Sequence, residues 1–278
     1  MQRFRLFTPF VLALVFSFIV GCGDDDPASS SSRLRVSLSD AAGLSLSELR
    51  LDIQKIEVNI KDTLAGSQPE WVTLDYSPKT NNFLNLLRYS NGKSERLVDQ
   101  FFPSGGLLGV RVVFGPGSYL RTAGNPNKDV SLNVPQEFQT EGLILDLDTA
   151  TTVYPNTVCS IMLDVNVLSS IEERNGEFHF HPSVRAFPET FGGSLKGRVS
   201  PANALAYVTI TQGDRKFFSW PEISDGMFLF TGLKYGEWII NVVPTDTTVI
   251  YDPVEITDTV KTGQVLNLNT ITLKPKIP

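Results

Sequence analysis

The side chains best suited to bind a metal or to transfer protons are two histidines and three aspartates. His179 and His181 are the only histidines of the chain, and their spacing places both imidazoles on one face of a strand. Zinc would need further ligands, and the sequence nominates none. Asp146, Asp148 and Asp164 could bind calcium or act as acid and base in sugar hydrolysis. The dense Asp, Asn and Gly loop pattern of calcium sites is missing, so we expect the three aspartates to be structural. We expect the histidines to be a packed or exposed pair, and we expect no metal and no cofactor.

The two cysteines, Cys22 and Cys159, have different expected roles. Cys159 falls on the apolar side of an alternating strand pattern with Ile161 and Leu163, which is typical of an inert buried thiol. The sequence has no nucleophile elbow, phosphate-binding loop or zinc-protease helix. With both histidines on one strand, a hydrolytic triad is not expected, and we predict that the protein is not an enzyme.

Cys22 follows a segment that has the pattern of a secretory signal. Arg3 and Arg5 precede an apolar stretch over residues 7–20, which is short for a membrane-spanning helix of about 20 residues. The residues Ile19-Val20-Gly21-Cys22 resemble the lipobox of bacterial lipoproteins. The resemblance implies cleavage between Gly21 and Cys22, removal of residues 1–21, and acylation of Cys22. The alternative is an ordinary signal peptide with a chance cysteine.

The residues that follow Cys22 are acidic and then rich in serine. Asp24-Asp25-Asp26 resembles the acidic tag that directs some lipoproteins to the cell surface of Gram-negative bacteria, although a solvated spacer is the alternative. Residues 22–33 as a whole are expected to form a flexible linker. These features predict a lipid-anchored protein of the outer membrane that faces the cell surface.

The overall charge limits the classes of partner. The formal net charge is −6, and removal of Arg3 and Arg5 with the signal makes it −8. An acidic chain without a basic run argues against a nucleic-acid partner. It also argues against peripheral attachment to anionic lipid, which leaves the acylated Cys22 as the expected link to the membrane. Because acylation would leave Cys159 without an intramolecular partner, stability must come from the core.

The chain after the linker reads mainly as short strands. Leu34, Val36 and Leu38 alternate with polar residues, as in a half-buried strand. The apolar residues of the segment 49–60 fit helical spacing. They also fit the alternation of a strand in each half of the segment, but the side on which they fall changes at Gln54-Lys55. We interpret them as one strand with a β-bulge, because β-branched residues are frequent there. Further strands are predicted around Trp71-Leu74, Gly109-Phe114, Val130-Val134, Leu143-Leu147 and Cys159-Val167.

Two dipeptides predict tight hairpin turns. Asn175-Gly176 precedes Phe178 and His179, and Asp225-Gly226 precedes the alternating Phe228 and Phe230. Many short strands separated by Gly, Pro and Asn turns indicate β-sandwiches or barrels. The predicted fold class is therefore all-β, with two β-sandwich domains in tandem at residues 34–190 and 193–278.

Several motifs of the first predicted domain resemble the lipoprotein family described as domain of unknown function 4382. The resemblance spans about residues 33–188 and rests on the opening strand and on the motifs Ile56-Glu57-Val58, Trp71-Val72-Thr73-Leu74, Phe83-Leu84-Asn85-Leu86-Leu87, Leu163-Asp164-Val165, Asn175-Gly176-Glu177-Phe178 and Pro182-Ser183-Val184-Arg185. Asn166 departs from the family pattern, which often has a second aspartate there. The family has no established reaction, so the resemblance implies an architecture and a location.

The second predicted domain resembles the carboxypeptidase-regulatory-like modules, which are also grouped with starch-binding-like folds. The resemblance covers about residues 193–274 and rests on Leu195-Val199, Ala206-Ile210, Asp225-Phe230 and Gly232-Trp238. It implies a small β-sandwich of a kind found in accessory, adhesive and sugar-binding proteins. Trp238, Ile240 and Val242 share one face and are expected in its core.

Phe218 and Trp220 are the candidate ligand-facing aromatics, because they would share one face of a strand. Such rings can stack on sugars or anchor a protein partner, although both could instead pack into the sandwich. The leading hypothesis is a non-catalytic binding or accessory module that recognises a glycan or a surface protein. The alternative is a structural spacer, or an assembly or adhesion subunit, without a site for a small molecule.

Overall fold

The computed structural model describes residues 32–41, 46–61, 67–77 and 83–276, and these residues are almost all in strands and the turns between them. The described strands form two β-sandwiches. The first sandwich contains the strands β1 (Ser32–Ala41), β2 (Leu46–Leu51), β3 (Ile53–Lys61), β4 (Glu70–Thr73), β5 (Leu84–Asn85), β6 (Glu95–Phe102), β7 (Gly105–Phe114), β8 (Tyr119–Thr122), β9 (Asn125–Asn133), β10 (Leu143–Val153), β11 (Val158–Asn166), β12 (Ile171–Arg174), β13 (Glu177–Phe180) and β14 (Val184–Pro188).

Two sheets enclose the core of the first sandwich. Among the described strands, one sheet has the order β4-β3-β7-β10-β14-β11-β1-β6 and the other the order β12-β13-β9-β8-β2-β5. Strand β1 lies between β11, to which it is parallel, and β6, to which it is antiparallel. Its alternation places Leu34, Val36 and Leu38 in the core, which confirms the predicted strand.

The segment 49–60 is not the single bulged strand that its pattern predicts, because the chain changes sheet at Asp52. Strand β2 belongs to the six-stranded sheet and β3 to the eight-stranded sheet. The buried Asp52 carboxylate accepts hydrogen bonds from Gln54 and from the backbone N–H of Gly117, the latter at 2.9 Å. The bulge itself is confirmed by a shift of register between Ile53 and Lys55.

The second sandwich follows directly. Its described strands are β15 (Gly193–Ser200), β16 (Tyr207–Gln212), β17 (Arg215–Ser219), β18 (Met227–Leu233), β19 (Gly236–Val243), β20 (Val254–Val260) and β21 (Val265–Thr272). They form one sheet in the order β18-β15-β21 and another in the order β17-β16-β19-β20. The strands β17 and β18, which contact the first sandwich, are therefore both edge strands.

The two sandwiches have separate hydrophobic cores. The first core includes Phe180 and Val36, and the second is centred on Trp238. Trp238, Ile240 and Val242 are fully buried, as the sequence predicts, and so is Phe228. The all-β fold class predicted from the sequence is thus the observed one.

One predicted hairpin is confirmed and the other is wrong. Asn175 and Gly176 both have positive φ, at 54° and 81°, and join the antiparallel strands β12 and β13. The turn at Asp225-Gly226 instead connects β17 to β18, which lie in different sheets. The hairpin of this region is the one between β16 and β17, which turns at Gly213 with a φ of 56°.

Helical structure in the described residues is short. It comprises α1 (Gln136–Thr140), α2 (Val167–Ser170) and two 3-10 turns, Leu86–Arg88 and Ala202–Ala204. Within those residues, every helix is too short or too polar to cross a bilayer. The predicted signal, the cleavage site at Gly21 and Cys22, and the acidic residues Asp24, Asp25 and Asp26 lie outside the described residues.

Candidate functional site

Arg185 on β14 extends from the first sandwich into the second. Its guanidinium group pairs with the carboxylate of Asp164, which lies directly opposite on β11. It also donates hydrogen bonds to the backbone oxygens of Gly232, at 3.0 Å, and Thr231, at 3.2 Å, on β18. One side chain therefore ties a sheet of the first sandwich to the backbone of the second.

Two aromatic rings flank the same guanidinium group. The ring centroid of Phe217, on β17, lies 4.0 Å from the guanidinium carbon, and that of Phe187, on β14, lies 4.8 Å from it. A guanidinium is planar, so it can stack on rings while its edge donates hydrogen bonds. Each cation–π contact of this kind contributes about 0.5–2 kcal/mol, more where water is excluded.

The turn at Asn91-Gly92 makes the second connection between the sandwiches. Both residues have positive φ, at 52° and 86°. The Asn91 side-chain oxygen accepts hydrogen bonds from the Ser219 hydroxyl, at 3.1 Å, and from the backbone N–H of Leu229, at 3.3 Å. Its amide nitrogen donates to the backbone oxygen of Trp220 at 3.1 Å. The Asn91 side chain thus binds β18 and the end of β17, which are the two edge strands of the second sandwich that contact the first.

Two ion pairs also bridge the sandwiches. Lys93 lies 3.0 Å from Glu222, and Arg215 lies 3.6 Å from Asp148. The Lys93 side chain is largely exposed, and exposed pairs typically contribute less than about 1 kcal/mol. The Lys93–Glu222 pair therefore contributes little to holding the sandwiches together.

A small cleft remains between these contacts. Its volume is about 120 Å³, and it is lined by residues of both sandwiches, among them Asp164, Arg185, Lys216 and Phe218. Sites for small organic ligands usually enclose roughly 300–1,000 Å³. The cleft therefore has room for solvent or a small ion, and two of its charged side chains, Asp164 and Arg185, already bind each other.

A wider groove of about 610 Å³ opens where the chain passes from β14 to β15. Its walls include Tyr154 and Val158 of the first sandwich and Phe191 in the connection. Several threonine side chains also line it. The groove is therefore an open, partly apolar surface beside the start of β1, since Val158 pairs with Arg33.

The predicted ligand-facing aromatics lie at the end of the edge strand β17. Phe218 pairs with Thr209, and the Trp220 ring meets the ring of Tyr207 edge-on at 5.5 Å. Because Tyr207 and Thr209 point to the same side of β16, Phe218 and Trp220 both lie against that side of the strand. Both rings are half-buried, and the Lys216 ammonium lies 5.1 Å from the Phe218 ring.

Trp220 has one unusual feature. Its indole nitrogen is buried and has no hydrogen-bond partner among the described residues. Buried indole N–H groups usually find a partner. Ligand binding by Phe218 and Trp220 stays a prediction.

The histidine pair lies beside Glu172 on the hairpin of β12 and β13. His179 is opposite Glu172 in the sheet, and the His181 ring nitrogen Nε2 lies 3.1 Å from the Glu172 carboxylate. The hydrogen bond from Arg174, followed by the charges of that arginine and of both histidines, lowers the pKa of Glu172. Within the described ranges, no group of three His, Cys, Asp or Glu side chains could hold a metal.

The three candidate aspartates are used differently. Asp148 pairs with Arg215 of the second sandwich, whereas Asp164 pairs with Arg185 within the first. Asp146 lies two residues before Asp148 on the exposed side of β10, since the intervening Leu147 packs against the core. Cys159 also packs against that core, and burial raises the pKa of its thiol.

The sequence analysis did not identify the residues that join the sandwiches. Asn91-Gly92 has the same turn signal as Asn175-Gly176, so its local conformation could have been predicted. Its partners could not, because Ser219 and Trp220 are more than 120 residues away. Arg185 appeared only within a family motif, and nothing in that motif indicates stacking on Phe217.

Three solved structures are distantly similar to this chain. The Bacillus anthracis TIE protein is 9% identical with a TM-score of 0.25, and the match covers 88% of this chain and 34% of that one. The chain thus spans about a third of that protein's length. GBS52, the minor pilin of Streptococcus agalactiae, is 10% identical with a TM-score of 0.22 and coverage of 88% and 98%. The C-terminal fragment of pilus adhesin SpaC from Lactobacillus rhamnosus GG is 8% identical with a TM-score of 0.24 and coverage of 88% and 99%.

Comparison with curated proteins gives no match. A family model does match, over residues 31–182, which include Asn91, Lys93, Asp148 and Asp164. The matched region ends before Arg185 and the second sandwich. Because it covers more than half of the chain, the protein belongs to the family described as Domain of unknown function (DUF4382).

Proposed function

We propose that the protein is a lipid-anchored, non-catalytic module of the bacterial cell surface, in which two sandwiches form one rigid unit for binding or assembly. The observation that carries this proposal is the use of Arg185, Asp164 and Asn91 as a connection between the sandwiches. Stacking, an ion pair and backbone hydrogen bonds meet there. A connection of this kind is suited to holding a binding or assembly surface of one sandwich at a fixed distance and orientation relative to the other.

The same observation supports the non-catalytic part of the proposal. A carboxylate that acts as general acid or nucleophile must reach its substrate. The Asp164 carboxylate is instead paired with Arg185, and it accepts a hydrogen bond from the Ser39 hydroxyl at 3.2 Å. Asp148 is bound by Arg215, so two of the three candidate aspartates are held in structural ion pairs.

Turnover of a polysaccharide tests this part directly. Purified protein is incubated with isolated envelope polysaccharide, and the release of reducing ends is measured for the wild type and for Asp164→Asn. We expect no release above the rate without protein. Release that the wild type produces and Asp164→Asn abolishes would show an enzyme and overturn the proposal.

The lipid anchor rests on the signal-like segment and on Cys22, and its test is chemical. Cells are grown with a labelled fatty acid, and the wild type is compared with Cys22→Ala. We expect label on the wild type alone, because the thiol and the new amino group of Cys22 would carry the acyl chains. Protease treatment of intact cells then distinguishes the cell surface from the periplasm, and continued labelling of Cys22→Ala would disprove the anchor.

Carbohydrate binding is a second candidate function, favoured by the face that Phe218, Trp220 and Tyr207 form on the second sandwich. Aromatic rings stack on the apolar faces of sugars, and the Phe218 and Trp220 side chains are both partly exposed. Affinity electrophoresis of the mature protein through polysaccharide gels tests this candidate. We expect Trp220→Ala to lose the retardation, while Phe101→Ala, which changes an exposed ring of the first sandwich, keeps it; equal retardation of all three proteins would exclude the Trp220 face.

A further inference from the structure

Three exposed apolar side chains lie together where β1 begins. Phe101, Tyr154 and Val158 have exposed fractions of 69%, 63% and 52%. Arg33, the second residue of β1, is paired with Phe101 on one side and with Val158 on the other. The hydroxyl of Ser32 donates to the backbone oxygen of Tyr154 at 2.8 Å. Since paired strands lie about 4.8 Å apart, the three side chains surround the first two residues of the strand.

Arginines surround the same place. Arg33 pairs with Asp99, and its guanidinium carbon lies 5.6 Å from the ring centroid of Phe101. Arg35 and Arg96 lie 3.3 Å and 3.2 Å from the same Asp99 carboxylate. Three guanidinium groups thus share one carboxylate, which leaves two positive charges in excess on a chain whose net charge is negative.

We propose that this patch at the start of β1, formed by Phe101, Tyr154, Val158, Arg33, Arg35 and Arg96, rests on the lipid bilayer that holds the anchor. Aromatic side chains are favoured at the boundary between lipid head groups and acyl chains. Guanidinium groups bind phosphate through paired hydrogen bonds. The inference rests on the proposed acylation of Cys22 and adds which surface of the protein meets the membrane.

The length of chain between the anchor and the patch supports this occupant. Ser32 follows Cys22 by ten residues, and ten residues reach at most about 35 Å. The start of β1 therefore stays within about 35 Å of the proposed anchor. At the high effective concentration that a short tether gives, even a weak affinity of the patch for lipid keeps the two in contact.

The groove beside the patch extends its apolar surface. Tyr154 and Val158 belong to both, and Phe191 also lines the groove. The surface that would face the lipid therefore continues from the first sandwich to the connection with the second. Large exposed apolar patches of this kind mark sites of interaction with proteins or membranes.

The opposite end of the first sandwich provides a matched control. Because β6 runs antiparallel to β1, Glu95 lies opposite Leu38 while Phe101 lies opposite Arg33. Lys93, just before β6, contacts Glu222, so the neighbouring Ile223 is at the end remote from the patch. Ile223 has an exposed fraction of 65%, close to the 69% of Phe101.

The test measures the depth of a tryptophan in the bilayer. The mature protein is reconstituted into phosphatidylcholine–phosphatidylglycerol vesicles with or without bromine on the acyl chains, which quenches nearby indoles. The wild type, Phe101→Trp and Ile223→Trp are compared after vesicle flotation, and the wild-type emission is subtracted. We expect the added indole of Phe101→Trp to lose about half of its emission, since interfacial side chains reach about 5–10 Å into the boundary, and that of Ile223→Trp to be unchanged.

The outcomes separate the inference from the proposed function. If the wild type fails to float with the vesicles, the lipid anchor fails and the inference fails with it. If the protein floats but the two added indoles are quenched equally, the anchor stands and contact of the bilayer with the patch at the start of β1 is excluded. Hydrogen exchange of the wild type gives an independent measurement: the amides of residues 99–103 and 154–158 should exchange more slowly on vesicles than in detergent, and equal rates would also overturn the inference.

Discussion

The guanidinium carbon of Arg185 lies 4.0 Å from the ring centroid of Phe217, and the two residues belong to different sandwiches. Arg185 is also paired with Asp164 in its own sandwich. Its side chain therefore starts on a strand of the first sandwich, and its guanidinium group contacts residues of both sandwiches. Removal of this side chain would leave Asp164 without its cation and would expose the faces of two rings.

Arg185→Ala should lower the free energy of unfolding by about 2–3 kcal/mol, because the loss of one partner leaves a charged group incompletely bonded in a partly buried site. Urea denaturation followed by circular dichroism measures the change. Arg198→Ala is the control, since Arg198 pairs with Asp225 at 3.3 Å on an exposed surface of the second sandwich, where a loss below about 0.5 kcal/mol is expected. Equal effects of the two substitutions would show that Arg185 does not join the sandwiches.

Gly232→Ala should disturb the same contact from the other side. A Cβ atom at Gly232 would lie 2.4 Å from the ring of Phe187, whereas at Gly213 nothing lies within 4 Å. Both glycines have positive φ, at 62° and 56°, so both variants share a backbone cost of about 1–2 kcal/mol. We expect Gly232→Ala to cost about 1–3 kcal/mol more, as overpacking does.

Thermal or urea unfolding of the two glycine variants gives the comparison, and the difference between them isolates the clash with Phe187. A difference near zero would mean that Phe187 can move away without loss. That result would argue that the sandwiches are loosely joined at this point.

The sequence predicted those elements whose conformation is set by neighbours along the chain. The alternation of Leu34, Val36 and Leu38 is enough to define β1 and its buried face. The Asn175-Gly176 turn needs only its own two residues to adopt positive φ. The burial of Trp238 and Ile240 likewise follows from their alternation.

The change of sheet at Asp52 could not be predicted, because the pattern on either side is that of a strand. What fixes the break is the set of hydrogen bonds from Gln54 and Gly117 to the Asp52 carboxylate, and Gly117 is 65 residues away. The stacking of Arg185 on Phe217 depends on tertiary packing in the same way. Local periodicity contains no information on such pairs, so the candidate site was found only from the structure.

Asn91→Ala should be more damaging than Asn175→Ala, although the two asparagines have almost the same backbone conformation, with φ of 52° and 54°. Both variants place alanine in the left-handed region, at about 1–2 kcal/mol. Asn91→Ala also removes hydrogen bonds to Ser219, Trp220 and Leu229, and each bond contributes about 0.5–1.5 kcal/mol. We expect an additional loss of about 2 kcal/mol in urea denaturation, and equal losses would contradict the proposed role of the turn.

Glu57 should make the stability of the first sandwich depend on pH. Burial raises the pKa of its carboxyl group, but hydrogen bonds from Arg111, Lys55 and Thr73 outweigh burial and hold the pKa below its usual value of 4.5. The Arg111 nitrogen is 2.6 Å from the carboxylate, and the Arg111 guanidinium also lies 4.4 Å from the ring centroid of Trp71. The ionised form is therefore the one that the fold stabilises.

Since the pKa is lower in the folded than in the unfolded protein, this stabilisation is fully present above about pH 4.5 and is lost as the pH falls through the folded value. Glu57→Gln should thus lower the free energy of unfolding by about 1–3 kcal/mol at pH 7, and the difference from the wild type should shrink toward pH 3. Urea denaturation at a series of pH values measures it. A difference that stays constant between pH 7 and pH 3 would mean that Glu57 acts through packing alone and that its charge contributes nothing to the fold.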